Sequence, residues 1–276
     1  MPEAPEVQTV LDTLRLQIQG AEIESVDILY PKIIQNMEAE QFARSLKKQS
    51  FRDFFRLGKY LGFGLDDYTL IVHLRMEGKF YIYESLPREH KHIHVIFHLK
   101  DGRFLCYHDT RKFGRMALYS KEEDRASLSC FKNVGLDCLD DRVDGAYFYA
   151  RIHSLKKTIK QALLDQSIMA GVGNIYADEI LFASGLDPRS RCYRISKKDC
   201  ETIVFHTKRI LRGAMKSGGT TIRSYTSSLG VTGLFQLQLK VHSRKDQPCP
   251  VCGSPIKKIE VGKRGTYLCP KCQRRK

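Results

Sequence analysis

The chain has 276 residues, 42% of them hydrophobic, enough for one large packed domain or two ordinary ones; no apolar run approaches the length of a membrane span. Lys and Arg outnumber Asp and Glu by 46 to 31, a formal net charge of +15, which favours a polyanionic partner, most simply nucleic acid. Nine cysteines, an odd number, argue against a closed disulfide framework, and the absence of a basic-then-apolar leader reads as a cytosolic protein.

The chain opens MPEAPE. From Val7 the apolar residues run Val7, Val10, Leu11, Leu14 and Ile18, a helical spacing that stops at Gly20. Proline is tolerated in a first helical turn, and Glu3 and Glu6 suit the positive end of the helix dipole. A second reading stays open beside this one. Removal of Met1 would make Pro2 a free secondary amine, partly neutral at neutral pH, able to attack a carbonyl-like carbon with Glu3 beside it for proton transfer.

Short strand-like runs follow between turn residues: Tyr60–Leu65, Thr69–Leu74, Lys79–Glu84, His92–Leu99 and Arg103–Tyr107. Their number and spacing predict an antiparallel sandwich or barrel. Two turns are odd for a sheet. HLRMEGKF sets Met76 before Gly78, and DTRKFGRM sets Arg111 and Phe113 before Gly114. Such apolar residues usually fold back into a core. In a protein that extrudes a nucleotide they have another use, as wedges filling the hole in the stack, with Arg111 bonding to the orphaned partner base.

Near Lys121–Arg125 the pattern turns charged and helical, and helices are predicted over Tyr147–Ser154, Leu155–Leu164, Asn174–Ser184 and Lys197–Lys216. In QALLDQSIMAGVGNIYADEILF, Asn174 is an expected N-cap, and the helix start behind Gly171 and Gly173 is an expected phosphate site. An ordinary helical hairpin fits this stretch as well. Gly218–Gly233, rich in Gly, Ser and Thr, reads as a long functional loop.

From Lys240 to Lys276 eleven basic residues stand against two acidic ones. Cys249-Pro-Val-Cys252, sixteen intervening residues, and Cys269-Pro-Lys-Cys272 place four thiolates around one tetrahedral ion, usually zinc. Four thiolates leave no open position, so the expected metal is structural. IEVGKRGTYL between the knuckles reads as a hairpin with Lys263 and Arg264 at its tip, Arg264 being suited to grip phosphate.

Taken in order, MPEAPEV, LGKYL, HLRMEG, DTRKFG, QALLDQSIMAGVGNIYADEILF, GGTTIRS and CPVCG…GKRGTYLCPKCQ resemble the bacterial formamidopyrimidine-DNA glycosylases (8-oxoguanine DNA glycosylases) along essentially the whole chain. The resemblance implies an α+β fold: an N-terminal antiparallel β-sandwich with flanking helices (1–135), a helix–two-turn–helix region (136–235) and a C-terminal zinc-ribbon hairpin (236–276). It implies a bifunctional glycosylase/AP lyase of base excision repair, excising oxidised purines from duplex DNA, working as a monomer at the nucleoid with one structural zinc and no nucleotide cofactor. Pro2 is the implied nucleophile, Glu3 the acid/base group, Glu6 a supporting carboxylate and Lys59 a catalytic-site lysine contacting phosphate beside the lesion. Met76, Arg111 and Phe113 are the implied void-filling trio, with Arg111 facing the estranged cytosine; His92, Asn174 and Arg264 are implied contacts to the DNA backbone. Gly218–Gly233 would close over the flipped base. Ala4 stands where leucine is more usual, and VGLDCL where Leu-Gly-x-Glu-Pro-Leu is common. Two other readings are an endonuclease VIII-like enzyme preferring oxidised pyrimidines, disfavoured by Arg111 and Phe113, and a non-catalytic zinc-ribbon DNA binder, disfavoured by Pro2, Glu3 and Lys59 occurring together.

Overall fold

The structure, a computed structural model, describes residues 1–86, 91–219 and 235–276. The chain forms two compact units. One is built on Met1–Lys132, which Gly218 and Gly219 join; the other is built on Asn133–Ser217 and residues 235–276.

In the first unit, helix α1 (Ala4–Ile18) buries Val7, Val10, Leu11, Leu14 and Ile18, the stripe predicted from their spacing. Gly20 ends it at φ +81°, a left-handed conformation that costs glycine little. Eight strands follow: β1 (Ile23–Ile28), β2 (Asp53–Leu57), β3 (Tyr60–Gly64), β4 (Tyr68–His73), β5 (Lys79–Tyr83), β6 (Ile93–Leu99), β7 (Phe104–His108) and β8 (Arg115–Ser120). A short helix α2 (Ala39–Leu46) lies between β1 and β2. The strands pair antiparallel in two sheets, ordered β1-β6-β7-β5 and β2-β3-β4-β8.

The inner faces of both sheets share one apolar core with α1. It includes Val95, Phe97, Leu105 and Phe80 from one sheet and Leu61, Phe63, Val72 and Leu118 from the other. The Phe63 and Phe80 rings meet edge-on across the sheets at 6.1 Å, a favoured aromatic geometry. The outer edge of β8 is covered. Asn36 donates to Leu118 O at 2.7 Å and accepts from Leu118 N at 3.1 Å, so the edge cannot template further pairing.

The β-sandwich expectation holds, and β3 to β7 fall within a residue or two of their predicted runs. The sequence reading missed β1, β2, β8 and α2. Strand β8 buries four consecutive residues and so lacks the alternation that marks a half-exposed strand. Lys121–Arg125 forms no α-helix; two 3-10 turns, Arg125–Ser127 and Ser129–Phe131, begin at its end. The expected loop Gly218–Gly233 lies, from residue 220 onward, outside the described residues.

The second unit holds α3 (Gly145–Ile152), α4 (Ile159–Leu164), α5 (Asn174–Ala183), α6 (Lys197–Lys216) and a terminal hairpin, β9 (Lys257–Val261) with β10 (Arg264–Leu268). Helix α3 starts two residues before its expected position because Asp144 caps it, accepting from Tyr147 N at 2.7 Å. Reciprocal caps open two more helices: Thr158 with Gln161 for α4 and Ser196 with Asp199 for α6. Among the described residues, no helix is long and apolar enough to cross a membrane.

Helix α5 is buried from Ile175 to Leu181, two carboxylates included. Asp178 bonds Lys160 Nζ at 2.7 Å and His242 Nδ1 at 2.8 Å, while Glu179 accepts the main-chain N–H groups of Lys240, Val241 and His242, each at 2.9 Å. Lys160 also donates to Thr266 Oγ1 at 2.8 Å and Gly265 O at 3.3 Å. These bonds fasten β10 and residues 240–242 to α4 and α5. Lys160 and Asp178 are fully buried, so removing one partner strands a charge in low dielectric. Lys160→Ala is expected to cost about 3–5 kcal/mol of unfolding free energy, read by urea denaturation; a loss below about 1 kcal/mol would show the pair to be an ordinary surface-grade contact.

Candidate active site and nucleic-acid grip

At the head of α1 the residues that follow Met1 are buried. Pro2, Glu3, Ala4, Pro5 and Glu6 are all inaccessible, and only Met1 is exposed. Glu6 reaches back so that its Oε2 accepts from Glu3 N at 2.9 Å, fixing the residues ahead of the helix. With Met1 in place the Pro2 nitrogen is an amide. The Met1 amine reports the electrostatics of the spot: burial pushes it below its ordinary value, Glu3 pulls it back up, Lys59 lowers it further, and Glu77 and Glu6 raise it. The neutral fraction of a chain-end amine at this spot is therefore larger than for a free one, with carboxylates at hand. A Cβ on Gly219 would lie 3.0 Å from Glu6 Oε1, so the Gly218-Gly219 backbone runs directly beside that carboxylate.

Lys59 occupies the two-residue turn Gly58-Lys59 joining β2 to β3, with Gly58 at φ +58°. It is buried to 4% exposure, unusual for lysine, and it acts on both the Met1 amine and His73. Arg56 ties this turn to α1, donating to Gly58 O at 2.8 Å and to Gln8 Oε1 at 3.1 Å. The structure thus gathers Pro2, Glu3, Glu6 and Lys59 in one neighbourhood.

Two residues there escaped that reading. Glu77, beside Met76, faces the chain end closely enough to act on its charge. His73 ends β4 and is held down to about 3 by burial, with Arg75 and Lys59 adding to the effect. It stays a neutral imidazole whose Nδ1 accepts from Arg75 N at 3.0 Å, leaving Nε2 to carry the proton. The only sequence signal for either was its place in HLRMEG.

Met76 sits in the turn between β4 and β5, half-buried rather than folded into the core. Arg111 and Phe113 project from the turn between β7 and β8, both exposed, the guanidinium 4.7 Å from the ring centroid. Phe113 is 46% exposed, a large apolar side chain that the core reading of this turn does not explain. His92 is exposed just before β6, and its carbonyl accepts from Asp109 N at 2.9 Å, placing it against the Arg111 turn.

In the second unit Asn174 is not the N-cap of α5. Gly173 holds that position and Asn174 is the first helical residue. Its side chain turns instead to the hairpin, Nδ2 donating to Gly265 O at 3.0 Å, while its Oδ1 caps no helical N–H. Nor is the Gly171 N–H open for phosphate, since it donates to Gln166 Oε1 at 2.9 Å. Arg264 begins β10 and is exposed; the tip of the hairpin is Gly262-Lys263, both at positive φ, as a two-residue hairpin turn demands. Through Gly265, Asn174 and Arg264 become neighbours on one surface, backed by Lys160.

Cys249, Cys252, Cys269 and Cys272 bring their sulfur atoms within 4.8 Å of one another. Cys249 and Cys272 lie 3.9 Å apart, Cys252 and Cys269 3.4 Å. Tetrahedral zinc with bonds near 2.3 Å needs sulfurs about 3.8 Å apart, so the cluster fits one structural zinc.

Comparison with known proteins agrees across the length of the chain. The family models for the formamidopyrimidine-DNA glycosylase N-terminal domain, its H2TH domain and the zinc finger found in FPG and IleRS match residues 1–116, 134–226 and 246–275. The formamidopyrimidine-DNA glycosylases of Bacillus subtilis (strain 168) and Oceanobacillus iheyensis are each 43% identical, covering 100% and 99% of this chain and 100% and 98% of their own length. Among solved structures, Lactococcus lactis Fpg bound to DNA containing an abasic site superimposes with a TM-score of 0.90 at 36% identity, covering 99% of this chain and all of the other. MutM in complex with DNA containing carbocyclic 8-oxo-G gives 0.89 at 35%, with the same coverage. The chain belongs to the formamidopyrimidine-DNA glycosylase family.

Proposed function

We propose that this protein is a bifunctional DNA glycosylase/AP lyase of base excision repair, removing oxidised purines (8-oxoguanine and formamidopyrimidines) from duplex DNA, chiefly opposite cytosine. The observation that carries the reading is the buried head of α1, where a chain-end amine is pushed toward its neutral form between Lys59 and three carboxylates. Full-length kinship with glycosylases solved on abasic and 8-oxo-G DNA supports the substrate class, as does the relative solved with Fapy-dG DNA.

In the proposed reaction Met1 is first removed. The lone pair of the Pro2 nitrogen attacks C1′ of the damaged nucleoside, the bond from C1′ to the base breaks, and the base departs with that electron pair and takes up the proton that the attacking amine sheds. Glu3 protonates the ring oxygen as the sugar opens, leaving an iminium between Pro2 and C1′. The iminium acidifies the C2′ proton. Its removal expels the 3′ phosphate, and a second elimination expels the 5′ phosphate. Because burial and Lys59 lower the chain-end amine, a larger fraction is neutral below pH 8 than for a free α-amine. Met76 and Phe113 fill the vacated stack, Arg111 bonds the orphaned cytosine, and Lys59, His92, Asn174 and Arg264 hold the backbone. Zinc supplies no chemistry; the four cysteines use it to hold the hairpin that presents Arg264. We assign residues 1–135 to catalysis, 136–235 to the helix–two-turn–helix and 236–276 to the zinc finger, in a monomer acting in the cytoplasm at the nucleoid.

Pro2→Gly keeps an N-terminal amine but loses the secondary amine and its fixed geometry. It is expected to retain lesion binding in a gel-shift assay while strand cleavage falls by orders of magnitude; cleavage at the wild-type rate would remove Pro2 from its role. Arg264→Ala is expected to weaken binding to every duplex and reduce the slope of log K against log salt by about 1. An unchanged slope would mean Arg264 grips no phosphate.

A further inference from the structure

The turns carrying the wedge residues leave different strand pairs, Met76 between β4 and β5, Arg111 and Phe113 between β7 and β8. They meet on one buried side chain. Tyr107, in β7, is fully enclosed, its ring packed edge-on against Phe80 at 5.1 Å. A Cβ on Gly78 would lie 2.2 Å from the Tyr107 hydroxyl oxygen, and a Cβ on Gly114 only 1.8 Å. Each wedge turn therefore ends in a glycine at a place where the tyrosine hydroxyl fills the space of any larger residue. That hydroxyl has no hydrogen-bond partner among the described residues, so what it contributes here is shape.

Two residues further on, Asp109 is 1% exposed. Its Oδ1 accepts from Arg111 N at 3.0 Å, and its Oδ2 from Phe113 N at 2.9 Å and Gly114 N at 2.7 Å. The Asp109 main chain is itself fixed, donating to His92 O at 2.9 Å and accepting from His94 Nε2 at 2.7 Å. Lys112, at φ +58°, turns the chain between the bonded residues. A solvated turn would leave these N–H groups to water. Spending a buried carboxylate on them fixes the direction in which the Arg111 and Phe113 side chains leave the protein.

We propose that Asp109 and Tyr107 are the positioning residues of the wedge: the carboxylate sets Arg111 and Phe113, and the tyrosine locks their turn to that of Met76, so that the two turns enter the duplex as one body. This rests on the glycosylase reading above. Neither residue touches the reacting atoms.

The test compares wild-type enzyme, Asp109→Asn and Tyr107→Phe in single-turnover excision of 8-oxoguanine opposite cytosine and opposite adenine. Cleavage of an abasic site in single-stranded DNA, which has no stack to fill, is measured alongside, with thermal melting as the folding control. An amide has one acceptor oxygen, so Asp109→Asn turns an NH2 group toward at least one of the N–H donors. We expect it to lower duplex excision about tenfold or more and to compress the cytosine-over-adenine preference, with a much smaller loss on the single strand. Tyr107→Phe should shift both readouts in the same direction by a smaller factor. Wild-type duplex rates and preference in Asp109→Asn, or equal losses on both substrates, would overturn the proposal. If Asp109→Asn fails to fold, Tyr107→Phe decides alone: a duplex-selective loss supports the proposal and wild-type behaviour overturns it. A wild-type enzyme inactive on the lesion duplex would instead refute the functional reading, before any variant is compared, and the proposal with it.

Discussion

A reciprocal capping box, in which the Glu6 carboxylate accepts from the Glu3 main chain and the Glu3 side chain accepts from the Glu6 main chain, holds the first residues of the chain at the head of a buried helix. Chain ends ordinarily fray because nothing offsets the entropy of ordering them. Here the following stripe, Val7 to Ile18, is sealed into the sandwich core, and the capping carboxylate extends that order back toward Pro2. Burial of the end has an electrostatic consequence. A charged amine is disfavoured in low dielectric, and the neutral form, whose share rises, is the one with a lone pair to donate. The same interaction that makes the end stable in one place thus sets its reactivity.

The rest of the first unit supplies neighbours to that point. Gln8 and Arg56 register the Lys59 turn against α1, and the strands β4 and β7 lead into the turns that carry Met76 and Arg111. In each case the side chain sits on a short turn whose two ends are clamped by paired strands, which limits its motion more than a long loop would. The second unit solves a related problem by different means. Its hairpin is small and has little core of its own, so zinc closes one end and the buried Lys160–Asp178 pair anchors the other. Such a pair is weak as a source of stability, but its directional bonds to Gly265 and Thr266 fix the register in which Arg264 is presented.

Much of this was legible in the sequence because it rests on local pattern. The stripe after Val7, the five strands β3 to β7, the long helix α6 and the paired cysteine knuckles follow from periodicity or spacing alone. The exposed side chains of Arg111 and Phe113 likewise announced themselves as misplaced for a core. What stayed hidden depends on contacts distant in the chain. Strand β8 is buried on both faces and so shows no alternation. Asn174 looked like a cap because nothing local reveals that its amide is bonded to Gly265, ninety-one residues away. Asp109 and Tyr107 read as ordinary strand and turn residues until the two glycines are seen to converge on one hydroxyl.

The measurement that tests the central claim most directly is borohydride trapping on duplex DNA carrying 8-oxoguanine opposite cytosine, with peptide mapping of the cross-link on protein shown to lack Met1. A covalent adduct at Pro2 is expected. An adduct at another residue, or none while an oxidised pyrimidine traps efficiently, would contradict it.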